Sequence, residues 1–330
     1  MRTSRFTVPR FTITLATAIL LAACSGADGS ADVADSTATA TEEDSIALGD
    51  APLTLVGVVD GLRMPESVLH DMEQDVYFIS NVNGGTAERG GNGFITRVHA
   101  DSLDRPIRSW VRSRPAAPLN APRGMAIVGD TLWVADLDAL RAYNRWTGRA
   151  QGSVSLDSLG AIFLNDIAVG PDGALYVTDT GVRSASTGQT ADTTVTSRLY
   201  RVADRVPTVA VEAEILSSPN GIAWDSAGRR FLIAPFNGPT LLAWSPDGSA
   251  PNPRRLAPGP GSFDGVAVLP DGSVGTTTWA DSTLYVMHGD SALVPLISGV
   301  ETPADFGVDR TRDRLLIPLY NDGRVVVYAW

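Results

Sequence analysis

The feature that most constrains the fold is a motif that recurs six times after residue 53. In each copy a polar residue leads into a short apolar strand, and a second strand of alternating aromatic and β-branched residues follows. The six polar residues, here called the anchors, are Glu66, Arg123, Asn165, Asn220, Asp264 and Asp305. They are spaced 41 to 57 residues apart, whereas a four-stranded propeller blade takes about 40 to 50 residues. We therefore expect an all-β protein, a six-bladed β-propeller over residues 51–330.

The ends of the repeat indicate how the ring closes. The last copy has three recognisable strands before the chain ends, and residues 53–59 form an extra strand ahead of the first anchor. Pairing of this N-terminal strand with the last blade would complete its fourth strand and remove an exposed sheet edge.

Two insertions explain the longest spacings between anchors. They fall at residues 81–93 and 180–197, between the second and third strands of the first and third blades. Both loops are expected to emerge on the face that carries the anchors. They are either surface decoration or a lid over that face, since long loops in compact domains are often functional.

The N-terminus resembles a lipoprotein signal peptide over residues 1–23. Arginines precede an apolar run at 11–21, and Leu21-Ala22-Ala23-Cys24 resembles the motif cut by the lipoprotein signal peptidase. The run is shorter than the roughly 20 residues that span a bilayer. We expect cleavage before Cys24 and lipidation of its thiol, with an ordinary cleaved signal and a chance cysteine as the alternative.

Residues 24–50 are expected to form a disordered acidic tether behind the lipidated cysteine. They are rich in Ala, Ser, Thr, Asp and Glu and contain little that a core could bury. Ser25 favours transport to the outer membrane, so we expect the protein in the cell envelope, on the periplasmic or surface face. Contact with the membrane would then be made only through the lipid anchor.

Composition excludes several classes of function. The net charge of −11 argues against a nucleic-acid partner, because phosphate backbones are bound by clustered positive charge. The chain has no lysine, which excludes a Schiff-base mechanism. With one cysteine there is no intrachain disulfide.

The anchors themselves suggest a metal site. Residues just before the innermost strands point toward the propeller axis, and here they supply carboxylate and carboxamide oxygens, the donors that calcium prefers. Zinc and copper usually recruit His or Cys, which the anchor positions lack. The alternative is that Asn220-Gly221 and Asp264-Gly265 are simply turn formers.

The anchor motifs resemble those of the regucalcin and gluconolactonase (SMP-30/gluconolactonase/LRE-like) superfamily, with paraoxonases as more distant members. The similarity covers roughly residues 53–330 and rests on Pro65-Glu66, Asn165-Asp166-Ile167-Ala168, Pro219-Asn220-Gly221 and Asp264-Gly265-Val266. It implies that Glu66, Asn165, Asn220 and Asp264 hold a catalytic calcium at the axis. It also implies hydrolysis of a lactone, aryl ester or phosphotriester, with a small molecule as the substrate.

Further roles follow as hypotheses from the anchors and the resemblance. Asp264 would act as general base or nucleophile, and Arg123 and Asp305 would bind the substrate. Asp166, next to Asn165, would either bind a second, structural calcium or be a hydrogen-bonded tunnel carboxylate. The histidine pair of paraoxonases has no clear counterpart, and His70 is interpreted as a packed histidine.

Two other classes of function remain open. The propeller could carry a structural metal and display its loops to a ligand or envelope partner, as binding propellers of the NHL type do. A lyase is a weaker option, because it would call for a catalytic histidine near the mouth. Converging carboxylates and carboxamides favour catalysis over simple binding.

Overall fold

The computed structural model describes residues 47–48, 51–181, 197–248 and 251–330. The predicted signal peptide, the lipidation site at Cys24 and nearly all of the predicted tether lie outside the described residues, as does 182–196 of the second predicted loop. Within the described ranges we find no helix of the length and hydrophobicity that a membrane span requires.

The described strands alternate in direction and are joined by short turns. Two short strands, β1 (Ala47–Leu48) and β2 (Ala51–Pro52), pair with each other ahead of β3 (Thr54–Val59). The first three blades contain β4 (Pro65–Asp71), β5 (Val76–Asn81), β6 (Phe94–His99) and β7 (Ile107–Arg112); β8 (Pro122–Val128), β9 (Thr131–Asp136), β10 (Ala139–Asn144) and β11 (Ala150–Ser155); and β12 (Leu164–Val169), β13 (Leu175–Asp179), β14 (Arg198–Ala203) and β15 (Val206–Glu212).

Blades four to six repeat this arrangement. Their strands are β16 (Pro219–Asp225), β17 (Arg230–Pro235), β18 (Thr240–Trp244) and β19 (Arg254–Pro258); β20 (Phe263–Val268), β21 (Val274–Thr278), β22 (Thr283–Met287) and β23 (Val294–Ser298); and β24 (Gly307–Asp309), β25 (Arg314–Leu319) and β26 (Arg324–Ala329), joined by β3. Short 3-10 helices at Asp157–Leu159 and Glu214–Leu216 precede the third and fourth blades.

The ring closes as the sequence predicts. β3 pairs antiparallel with β26, with Val59 opposite Val325, and so becomes the fourth strand of the last blade. At the axis Ser67 of the first blade forms a parallel bridge with Asp305 of the last. The prediction of a six-bladed propeller closed by its N-terminal strand is therefore confirmed.

Hydrophobic packing lies mainly between neighbouring blades. In the described part of the chain, each pair of adjacent blades shares one cluster of buried apolar side chains. The fully buried Tyr77 and Leu316, for example, join the first and last blades, and Tyr200 and Leu140 join the third and second. Because blades share these clusters, the ring stabilises itself without a disulfide.

Aspartate and glycine set the turns between first and second strands. In the third blade Gly173 has φ +75°, which favours glycine, and Asp172 accepts a hydrogen bond from the Ala174 amide at 3.2 Å. Asp271 accepts the Ser273 amide at 2.9 Å in the fifth blade. Each turn follows the end of an inner strand, so the inner strands begin on the opposite face of the ring.

Candidate metal centre

Each of the first five anchors is the second residue of an inner strand, and the ladder is irregular at that point. The pairing of β4 with β5 shifts register between Pro65 and Val68, and equivalent shifts occur in blades two to five. An irregularity of this kind bends the strand and redirects a side chain. The repeated bulge is therefore what aims the anchor side chains at the axis.

Glycines after three of the anchors allow the inner strands to approach closely. A Cβ on Gly221 would lie 2.5 Å from the Asp264 carbonyl oxygen, and one on Gly265 would lie 2.8 Å from the Asp305 Cα. Neither glycine has a positive φ. Asn220 and Asp264 thus belong to strands, and the interpretation of Asn-Gly and Asp-Gly as turn formers is wrong here.

Four anchors are buried and each keeps one oxygen atom without a hydrogen-bond partner. Glu66, Asn165 and Asp264 are 3% exposed and Asn220 is 5% exposed. The orphaned atoms are Oε2 of Glu66, Oδ1 of Asn165, Oδ1 of Asn220 and Oδ1 of Asp264. A buried oxygen that accepts no hydrogen bond is costly and rare. These two carboxylates and two carboxamides form a donor set that fits a hard divalent cation such as calcium.

The same four residues line one cavity at the propeller mouth, here called the mouth cavity. It has a volume of about 480 Å³ and is also lined by Arg123. The Asn165 carboxamide is oriented by its own contact, because Nδ2 donates to Thr180 Oγ1 at 3.1 Å. The Asn165 oxygen itself keeps no hydrogen-bond partner.

Burial raises the pKa values of the two carboxyl groups in the cluster. Burial raises the pKa of Glu66 to about 8, against the opposing effect of Arg123. Burial, reinforced by the charges of Glu66 and Asp305, raises the pKa of Asp264 well above its usual range. A cation bound among these oxygens would favour both charged forms and reverse the two shifts.

Arg123 is held from three sides at the edge of the cluster. Its Nη1 lies 3.3 Å from Glu66 Oε1, its Nη2 donates to the Thr86 carbonyl at 2.7 Å, and its guanidinium carbon lies 4.1 Å from the centroid of the Phe163 ring. Its Nε is buried and has no partner. The arginine is therefore fixed in place beside the mouth cavity.

The sixth anchor lines a different cavity from the other five. Asp305 lines a second cavity of about 280 Å³ that follows the inner strands beyond the ligand cluster. Its Oδ2 accepts a hydrogen bond from Ser67 Oγ at 2.5 Å, and burial raises its pKa to about 7. The structure thus does not bring Asp305 to the mouth cavity with the other five anchors.

Asp166 lines this second cavity as well, and both of its oxygens are hydrogen-bonded. Oδ1 accepts the Ile167 amide at 2.7 Å and Oδ2 accepts the Ile222 amide at 2.8 Å. This arrangement favours the interpretation as a tunnel carboxylate that ties the third blade to the fourth. It gives no support to a second ion, which stays a prediction.

Residues at the ends of the second strands divide into two kinds. Asp136 accepts the Asn120 and Ala121 amides, and Asp179 accepts the Phe163 amide at 3.0 Å, so both carboxylates hold loops in place. By contrast, Trp279 Nε1 and Tyr320 Oη are buried without a partner and line the mouth cavity. Phe236 and Thr86 also line it and were missed by sequence reasoning, although Phe236 occupies the same repeat position as Trp279.

The first predicted loop, residues 81–93, folds over the mouth. Thr86 contributes to the cavity wall, and Ala87 packs against an apolar cluster that includes Val82 and Tyr320. Arg89 forms an ion pair with Asp138 of the second blade. These contacts favour a lid over mere decoration for this loop.

Histidines lie away from the mouth cavity. His70 is packed between Asp309 at 3.3 Å and Asp75 at 3.5 Å. Among the described residues, Asp75, His99 and Asp101 also bring ligand atoms within 4.8 Å of one another. Arg312 pairs with both of these aspartates, so a positive charge is already present in that group.

Comparisons with known proteins agree with this fold. No curated protein sequence matches the chain. Solved structures with a similar fold include a proposed gluconolactonase (16% identical, TM-score 0.64, covering 87% of this chain and 94% of that one) and a gluconolactonase from Xanthomonas campestris (19%, 0.61, 86% and 94%). A third is the calcium-binding protein regucalcin from Agrobacterium tumefaciens (16%, 0.61, 83% and 93%).

The family model described as the SMP-30/gluconolactonase/LRE-like region matches residues 71–305. This range covers more than half of the chain and contains the anchors of blades two to six. The chain belongs to the SMP-30/gluconolactonase/LRE-like family.

Proposed function

We propose that this protein is a calcium-dependent hydrolase of the lactonase type, acting on a small lactone or related ester in the mouth cavity. The observation that carries the proposal is the set of four orphaned oxygens on Glu66, Asn165, Asn220 and Asp264. A fold that needed these residues only for packing would have paired their oxygens. The names of the similar structures, a gluconolactonase and a calcium-binding regucalcin, support the same class.

The ligands would be the four orphaned oxygens, one from each of four blades. Two carboxylates match the charge of calcium, and the carboxamides add neutral oxygens while leaving positions for water and substrate. When bound, calcium would supply a Lewis acid that polarises the carbonyl oxygen of the substrate.

Asp264 is the residue proposed to move the proton. It accepts a proton from water as the water oxygen bonds to the carbonyl carbon of the lactone. The ring C–O bond then breaks, and the proton passes from Asp264 to the leaving alkoxide oxygen. The product is the open hydroxy acid, and the balance requires no other reactant than water.

Arg123 is proposed to orient the substrate and balance charge. Its contact with Glu66 offsets one carboxylate, and its stacking on Phe163 fixes the guanidinium plane. The unpaired Nε then offers a hydrogen bond to a substrate oxygen. Arginine suits this role because its donors are rigidly placed and always charged.

The test combines calcium binding with turnover. Calorimetry with CaCl₂ on the chelator-treated full chain should show binding, and a pH-indicator assay should show lactone hydrolysis that chelation abolishes. Asp264→Asn should lower kcat/KM by about 100-fold or more, the scale expected for loss of a general base. Asp271→Asn, in an exposed turn of the same blade, is the matched control and should leave both measurements unchanged.

Two results would overturn the proposal. Hydrolysis that survives both chelation and Asp264→Asn would exclude the assigned chemistry. Calcium binding without turnover on lactones, aryl esters or phosphotriesters would instead favour a propeller that binds a ligand around a structural ion.

A further inference from the structure

One residue position differs sharply between the two halves of the ring. It is the position directly after the second strand, occupied by Val82, Leu137 and Thr180 in blades one to three and by Phe236, Trp279 and Tyr320 in blades four to six. In both halves the amide at this position donates to a carbonyl ahead of the inner strand, as from Thr180 to Phe163 at 3.0 Å, from Trp279 to Ser262 at 3.0 Å and from Tyr320 to Thr302 at 3.1 Å. The backbone therefore fixes three aromatic residues at the mouth, one from each of three neighbouring blades.

These three side chains, here called the aromatic wall, contact one another in sequence. The rings of Phe236 and Trp279 meet edge to face with centroids 5.7 Å apart, and those of Trp279 and Tyr320 lie 5.5 Å apart at 49°. Such geometries are the preferred ones for aromatic pairs and restrict side-chain motion. All three rings line the mouth cavity with the four orphaned oxygens.

Two hydrogen-bond donors on the wall have nothing to donate to. Trp279 Nε1 and Tyr320 Oη are buried and have no hydrogen-bond partner, and Tyr320 as a whole is only 5% exposed. Other buried tyrosines are paired, as Tyr77 Oη is with Asp309 and Tyr200 Oη is with Asp179. An unpaired buried donor costs about 1 to 3 kcal/mol, so both donors are explained best by a ligand that supplies acceptors.

The chemistry of the wall restricts that ligand. Three aromatic faces and two donors can bury an apolar group and hold a few acceptor oxygens. Hydroxyl groups placed against these rings would lose hydrogen bonds with water, so a polyhydroxylated sugar lactone would have to direct its hydroxyls to polar side chains of the same cavity, such as Asn237 and Asn321. An alkyl or aryl group, in contrast, gains free energy roughly in proportion to the area it buries.

We propose that the substrate is a lactone carrying an apolar alkyl or aryl group, which packs on Phe236, Trp279 and Tyr320 while Trp279 Nε1 and Tyr320 Oη donate to its ester oxygens. This inference rests on the proposed hydrolase function and specifies its substrate class. The polar end of the molecule lies toward the orphaned oxygens and Arg123, and the apolar end lies along blades four to six.

The first experiment compares lactones of the same ring size on the full chain with calcium. The value of kcat/KM for δ-decalactone should exceed that for δ-gluconolactone by at least about 10-fold, because the pentyl chain buries several methylene groups. Trp279→Leu should lower kcat/KM for δ-decalactone about 10-fold more than for δ-valerolactone, which has no chain and loses only the hydrogen bond from Nε1. Tyr320→Phe keeps the ring and should lower both by about 5- to 10-fold.

A binding measurement separates this inference from the hydrolase proposal. Calorimetry with the lactam analogue of δ-decalactone needs no turnover, and Trp279→Leu should weaken its binding about 10-fold. Trp146→Phe, at an exposed tryptophan on the outside of blade two, is the control and should change nothing. If the protein binds the lactam through Trp279 but hydrolyses no lactone, the hydrolase proposal is rejected and the aromatic wall is supported as a binding site.

Preference for δ-gluconolactone, or tighter binding of gluconolactam than of the alkyl lactam, would overturn the wall as an apolar subsite. Equal loss of δ-decalactone and δ-valerolactone turnover in Trp279→Leu would do the same. In that case the tryptophan would support the fold of the mouth and would not select the substrate.

Discussion

Two groups of buried carboxylates lie near the propeller mouth and differ in what surrounds them. Asp136 and Asp179 end second strands, whereas Glu66 and Asp264 begin inner strands, and none of the four is more than 3% exposed. Asp136 accepts backbone amides from Asn120 and Ala121 and pairs with Arg141 at 2.9 Å. Glu66 and Asp264 each keep an oxygen that nothing in the protein satisfies.

The difference teaches that burial alone does not identify a ligand. A carboxylate surrounded by amides serves the fold, because the amides take up its charge. A carboxylate that keeps an unpaired buried oxygen weakens the fold unless something from outside the chain supplies positive charge. The two groups should therefore respond in opposite ways when the charge is removed.

The largest effect is expected for Asp136→Ala. This change strands two backbone amides and leaves Arg141 without its ion pair, so the free energy of unfolding should fall by about 3 to 5 kcal/mol. Urea denaturation of the calcium-free and calcium-loaded protein measures it. Calcium affinity, referred to the folded state, should stay within about twofold, since additivity holds for sites without shared partners.

Asp264→Asn supplies the opposite half of the comparison. In calcium-free protein it removes a buried charge next to Glu66 and should leave the unfolding free energy unchanged or raise it. A loss as large as that of Asp136→Ala would mean that Asp264 is a structural carboxylate after all, and the distinction between the two groups would fail.

The next effect is a dependence of calcium-free stability on pH. The pKa of Glu66 is raised by burial from 4.5 to about 8, and that of Asp305 is raised to about 7. The folded state thus binds protons that the unfolded state has lost, so this stabilisation is full below about pH 4.5 and is lost as pH rises through 8. From pH 5 to pH 9 the unfolding free energy should fall by at least about 1 kcal/mol, since one pKa unit corresponds to 1.36 kcal/mol.

Saturating calcium should reverse or flatten this trend, because the bound cation favours the ionised carboxylates. Thermal melting curves at five pH values, with and without calcium, measure both trends. Glu66→Gln is the informative variant, since it removes the titrating group while preserving its size. An unchanged slope in Glu66→Gln would show that the pH dependence arises elsewhere.

Much of this site could be predicted from the position at which a polar residue recurs in each repeat of the sequence. The recurring polar residue before each inner strand predicted six blades, the closing strand β3 and four residues whose oxygens prove to be orphaned. Sequence could not show which polar groups are already paired, and so Asp136 and Trp279 looked equivalent as strand ends. Asp305 was expected to bind substrate, yet its contact with Ser67 holds it in the second cavity, where pairing between inner strands decides its position.

A third kind of carboxylate, paired at the solvent boundary, gives the smallest expected effect. Asp138 is paired with Arg89 of the loop 81–93, and the Arg89 side chain is 61% exposed. Water screens such a pair, so Arg89→Ala should lower the unfolding free energy by less than about 1 kcal/mol. Its effect on function should be more visible, because the arginine holds the loop that carries Thr86 against Arg123.

Arg89→Ala should raise KM about two- to threefold with little change in kcat, since a looser loop weakens substrate binding without touching the proposed chemistry. Arg105→Ala removes an exposed arginine next to Asp104, away from the mouth, and is the matched control. A stability loss comparable to that of Asp136→Ala would place Asp138 with the structural carboxylates. An unchanged KM would show that the loop covers the mouth without contributing to substrate binding, and the contact between Thr86 and Arg123 would then serve only to position the arginine.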